Sequence, residues 1–78
     1  MKYGTGSILA IISTMWKNDI LSTKTRNEKV QEWSEIMKNG TGSDAVRFCK
    51  DMIDICPEVA GRWKDTLREI AGFYEGEC

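Results

Sequence analysis

The side chains that carry most enzyme chemistry are scarce in this chain. It has no histidine, so no Ser-His-Asp or Cys-His arrangement can be built and imidazole acid–base catalysis is excluded. Its cysteines, Cys49, Cys56 and Cys78, follow one another at intervals of seven and twenty-two residues. Without histidine that spacing matches no zinc pattern, and an odd count is a poor disulfide framework. On one helix Cys49 and Cys56 would lie about 10 Å apart along the axis, too far for a bridge. Cys78, the last residue, would do no more than crosslink chains in air. Reduced thiols in a cytoplasmic protein are the expectation. Carboxylates are plentiful, but their spacing is that of solvated helix faces: Glu58 precedes Arg62 by four residues, and Asp65 precedes Arg68 by three. No catalytic pair stands out. This inventory points away from an enzyme, with neither metal nor cofactor expected.

One four-residue word occurs twice, as Gly4-Thr5-Gly6-Ser7 and as Gly40-Thr41-Gly42-Ser43. Both copies precede an apolar run, and two readings compete. Helix N-termini offer free N–H groups and a partial positive charge, and glycine lets a phosphate approach the backbone closely. A small phosphorylated ligand held at these two helix starts is one alternative, with Lys2, Lys17 and Lys24 as the nearby cations. Neither copy carries the lysine of a P-loop, and neither follows a predicted strand. The favoured reading is structural: Ser7 and Ser43 are N-caps, and the glycines turn the chain into each helix. The word also raises a duplication. At its offset of 36 residues the middle of the chain matches poorly, although a shift of one more pairs Val30 with Leu67, Trp33 with Ile70 and Met37 with Tyr74. Convergent capping is preferred to duplication.

These residues must be positioned by helices. From Asp44 to Cys56 the apolar residues Ala45, Val46, Phe48, Cys49, Met52, Ile53, Ile55 and Cys56 fall within an arc of roughly 180°, and charges fill the rest. The segment after Pro57 repeats that pattern with Ala60, Trp63, Leu67, Ile70 and Tyr74. Pro57 suits the first turn of that helix, and almost no loop precedes it. A Pro-marked bend, not a packed hairpin, is expected there. Upstream, Thr25 and Glu28 have the spacing of a capping box. The helix they open carries Val30, Trp33, Ile36 and Met37 and ends at Asn39-Gly40, where a left-handed residue is expected. The first helix, Ile8 to about Asn18, is apolar nearly all round, so it is central or covered by a partner. The reading is all-α: one small four-helix domain spanning residues 1–78.

At 78 residues with net charge −1, the chain is near the size where one core only just offsets chain entropy. Residues 1–39 carry six basic and four acidic side chains, and residues 40–78 five and eight. That asymmetry is too weak for a nucleic-acid footprint, though it would orient a partner. No run is long enough for a membrane span. Each of the three tryptophans falls on a different helix. Trp16 is the preferred interface anchor, with Leu9, Ile12 and Ile20 beside it, because its helix has more apolar surface than so small a domain needs. The expected function is a non-enzymatic protein-interaction module, an inhibitor, adaptor or regulatory subunit of the kind common among phage and mobile-element inhibitors. A homodimer or higher homo-oligomer is expected. A helix-turn-helix DNA reader built around Pro57 is the remaining alternative. Its reading helix would lead with Glu58 and present carboxylates to phosphates.

Overall fold

Hydrophobic spacing and local caps divide the chain into four helices. The structure, a computed structural model, describes residues 4–58 and 60–76. Helix α1 spans Thr5–Lys17, α2 Thr23–Asn39, α3 Gly42–Ile55 and α4 Gly61–Glu75, and no strand occurs among the described residues. The all-α, four-helix reading is correct, but most helix ends differ in detail from the expected ones.

Helix α1 starts on Gly4, which takes φ 77° as N-cap with no side-chain cap. A Cβ at Gly4 would lie 2.9 Å from the Ile70 side chain, so both backbone angle and packing require glycine there. Ser7 lies inside α1, and Ser43 inside α3; neither caps its helix. Thr41 caps α3 instead. Its hydroxyl accepts from the Asp44 N–H (3.3 Å) while the Thr41 N–H donates to Asp44 Oδ2 (3.0 Å), a reciprocal capping box. Helix α2 begins earlier than Thr25: Ser22 is its N-cap and accepts from the Thr25 N–H at 3.1 Å.

The left-handed residue expected at Asn39-Gly40 is found elsewhere. Gly40 is extended, at φ −84° and ψ 178°, whereas Asp19 adopts φ 61° just beyond α1. There the Asp19 N–H donates to the Trp16 carbonyl (3.1 Å) and the Ile20 N–H to that of Met15 (2.9 Å). This is a Schellman ending, and aspartate is among the few residues that tolerate it. Gly40 serves a different need. Only Gly40 and Thr41 separate α2 from α3, and a Cβ on Gly40 would sit 2.7 Å from the Ile36 carbonyl oxygen.

The tight corner is thus at Gly40, and the bend at Pro57 is a longer connection. Residues 56–60 separate α3 from α4, Pro57 lies in that connection and not in the first turn, and the two helices share the largest interface in the molecule. They form a packed helical hairpin, contrary to the expected corner. The small residues Ala45, Cys49 and Ala71, all buried, allow the close approach.

Residues 18–22 join α1 to α2 by a connection of equal length, and burial repeats at an offset of 37. Ile8, Ile11, Ile12 and Met15 are the buried residues of α1. Ala45, Phe48, Cys49 and Met52, each 37 positions later, are those of α3. The N-caps Gly4 and Thr41 obey the same offset. The repeated word, at 36, is out of step with the repeated architecture by one residue.

Among the described residues, fifteen buried apolar side chains form one cluster. Trp33 is its largest member and the one fully buried residue of α2. Its ring lies 5.0 Å from that of Phe48 and meets the Tyr74 ring edge-on at 6.4 Å.

The glycines give a direct check. Nothing lies within 4 Å of a Cβ built on Gly6, so Gly6→Ala should stabilise by about 0.5–1 kcal/mol through reduced chain entropy. Gly40→Ala should destabilise by about 1–3 kcal/mol through its backbone clash. Urea denaturation followed by circular dichroism reads both; equal effects would refute the assigned corner.

Candidate interaction surface

The described thiols are unsuited to nucleophilic work. Cys49 and Cys56 are buried and unbridged. Burial pushes the Cys49 thiol up to about 11. Burial also raises Cys56, with the nearby Lys64 ammonium pulling the other way. Among the described residues no group of three or more His, Cys, Asp or Glu side chains is placed to hold a metal. Cys78 and Lys2 lie outside the described residues.

Among the described residues neither glycine word is brought to a cation-rich cradle. Gly4 packs on Ile70. Lys17 ends α1, about 18 Å along the axis from Thr5, and Lys24 stands in the first turn of α2 at that same far end. Gly6 and Ser7 are exposed and Thr5 half-buried. At the second word, Gly40 makes the corner and Thr41 is used by its own cap. An anion approaching Gly42 and Ser43 would meet the Asp44 carboxylate first. A shallow depression of about 580 Å³ next to Ser43 is lined by Val46, Arg47, Lys50 and Glu75. Lys50 and Glu75 pair across it at 3.6 Å.

The proposed anchor residues separate. Ile12 is fully buried and offers no surface. Leu9 is half-buried against the core. Trp16 is half-buried and engaged within its own chain: its Nε1 donates to Thr23 Oγ1 at 3.0 Å, and the Arg26 guanidinium lies 4.5 Å from its ring centre. It fastens α1 to the start of α2. Ile20 is half-buried and lines an opening.

That opening is a notch of about 440 Å³ lined by Asn18, Ile20, Pro57, Ala60, Arg62 and Trp63. The two hairpin connections meet there. The Schellman ending of α1 delivers Ile20 to one wall. Opposite, the Ala60 N–H donates to the Pro57 carbonyl at 2.9 Å, a turn that sets Ala60 as N-cap of α4. Trp63 and Arg62 then come from the first turn of α4. Among the described residues no carboxylate lines the notch. No family model matches the chain, and no curated protein or solved structure matches it either. Its chemistry is what can be read.

The electrostatics are lopsided. Helix α4 has no side-chain cap and no acidic residue in its first turn, where Arg62 and Lys64 both stand. Cations at the positive end of a helix each cost about 0.3–1 kcal/mol. Lys64 is partly compensated by Glu58, its Nζ donating to Oε1 at 3.1 Å. Arg62 is exposed at the lip of the notch. The site therefore offers an apolar floor, a half-buried indole and a positive rim. Sequence reasoning found Ile20 but missed Trp63, Arg62, Pro57 and Ala60, because the wall they form depends on the connection between α3 and α4 being a loop.

The thiol assignment is testable by alkylation. At pH 8 the native chain should react at Cys49 about a hundredfold more slowly than the urea-unfolded chain, from the loss of thiolate alone. The unfolded thiol ionises near its ordinary 9.0 and the folded one near 11. Its contribution to stability is then constant below pH 9 and falls as pH rises toward 11. Mass spectrometry of iodoacetamide-treated protein measures the first and alkaline denaturation the second. Rapid native labelling would restore Cys49 as a candidate nucleophile.

Proposed function

We propose that this chain is a small, non-enzymatic protein-interaction module that takes an apolar side chain flanked by carboxylates into the notch between its two hairpin connections. The observation that carries this reading is the juxtaposition of the apolar walls, Ile20, Pro57, Ala60 and Trp63, with Arg62 and the uncapped start of α4. An apolar side chain alone would bury area there, and an acidic neighbour would complete the helix start as a capping carboxylate does. Inhibitor, adaptor and regulatory subunit are all roles such a module performs. The depression beside Ser43 is a weaker basis for a phosphate sensor, since Glu75 lines it and Asp44 caps the helix beside it. A DNA-reading role has less support still: α3 and α4 are closely packed, and Arg68 is paired with Asp65 at 3.1 Å.

A display selection of random 12-residue peptides against the immobilised chain tests the reading without a known partner. Selected peptides should place Asp or Glu beside a large apolar residue. Arg62→Glu should weaken them at least about tenfold, the scale of a truncated hot spot, and should turn the selection toward Lys and Arg. Peptides indifferent to Arg62→Glu and Trp63→Ala, or no enrichment at all, would end the proposal.

A further inference from the structure

We infer that the notch receives Phe73 of a second copy of this chain, with Arg62 of one copy facing Glu69 of the other. The inference rests on the interaction reading above and names an occupant for the same site.

Two large apolar side chains are exposed among the described residues, and Phe73 is the more exposed at 45%. It stands in the last turns of α4, its ring edge-on to Tyr74 with centroids 5.1 Å apart. Glu69 lies one turn before it and Glu75 two residues after, both exposed. This is the chemistry that the notch selects: an aromatic ring beside carboxylates. Arg62, Glu69 and Phe73 are spaced by seven and four residues and share the outward stripe of α4. That stripe is positive at its start and acidic and aromatic near its end.

Phe73 cannot enter the notch of its own chain: it lies eleven residues beyond Arg62, about 16 Å along a rigid helix, so a Phe73 ring seated there comes from another molecule. Phe73 is 45% exposed, so seating it removes from water less than half of the about 150–250 Å² of an aromatic side chain, and the Arg62–Glu69 contact fixes direction and register. Each copy presents both halves of the contact. If the two contacts form at once, the assembly closes as a twofold pair; if only one forms, it propagates as a series.

The test is a charge exchange read by sedimentation equilibrium from about 1 μM to about 1 mM. The unmodified chain should associate with concentration. Phe73→Ala, Arg62→Glu and Glu69→Arg should each weaken association at least about tenfold. All three positions are exposed, and circular dichroism should show the same helix content. Mixing the Arg62→Glu chain with the Glu69→Arg chain should restore association, because each notch then meets a complementary knob. Neither variant should associate alone. A chain monomeric throughout the range would overturn the inference, as would association untouched by Phe73→Ala or a mixture that stays monomeric. Peptide selection at the notch alongside a monomeric chain would sink this inference and leave the interaction reading standing. Self-association through Phe73 that ignores Arg62 would place the contact elsewhere and overturn the inference.

Discussion

The burial of Trp33 is the constraint on which the rest of the structure depends. Helix α2 is the longest and most polar of the four, and Trp33 is its one fully buried residue. Val30, Ile36 and Met37 rest half-buried against the core, so the indole supplies the deepest part of the attachment. Its contacts with Phe48 and Tyr74 join α2 to both helices of the second hairpin at once. The Tyr74 hydroxyl adds a polar tie by donating to the Met37 sulfur at 3.6 Å. The cost is visible too: the Trp33 Nε1 is buried without a hydrogen-bond partner, a loss of about 1–3 kcal/mol. The packing of a large aromatic side chain outweighs that, since truncating one to alanine typically costs about 3–5 kcal/mol.

With α2 held in this way, the two hairpins become versions of one design with different spacing. Where α3 has Ala45 and Cys49, the equivalent positions of α1 hold Ile8 and Ile12. Both pairs are buried in the one core, and α3 meets α4 more extensively than α1 meets α2. The repeated glycine word plays no part in that correspondence. Gly4 answers to Thr41 in the architecture and to Gly40 in the word. The word's two first glycines serve different needs, a left-handed start in one and a backbone corner in the other. Their identity reflects two local demands for a missing Cβ.

Much of this was legible in the residues, and the errors have a common cause. Periodicity locates the four helices and nearly all of the core, because burial in an amphipathic helix follows spacing alone. Pairing Val30, Trp33 and Met37 with Leu67, Ile70 and Tyr74 already held the true offset. What spacing cannot show is which of several hydroxyls closes a cap. Spacing favours Thr25 and Ser43 as caps where the hydrogen bonds select Ser22 and Thr41, a choice that turns on one bond in each helix. Proline is at home in a first helical turn, yet Pro57 works equally well inside the turn that ends at Ala60. That one displacement hid the notch: a bend has no walls, whereas a five-residue connection supplies two. The surroundings of Trp16 are illegible in the sequence for a different reason. The Arg26 guanidinium above it and the Thr23 hydroxyl beside it depend on how the chain reverses at Asp19.

The order of charge along α4 sets this helix apart from the other three. Helix α3 begins with a capping box and α2 with a serine cap, each supplying an acceptor to free N–H groups. Helix α1 lacks a side-chain cap, but its start is sealed against Ile70. Helix α4 begins with glycine, arginine and lysine and ends near glutamates, an order that opposes its own dipole at both ends. Within the fold Glu58 offsets part of the charge at Lys64, and Lys50 pairs with Glu75 at the other end, while Arg62 stays exposed. In the self-association proposed above, another molecule would bring a carboxylate to Arg62 at the start of α4 and a further cation to its acidic end. A second copy of the same chain brings both.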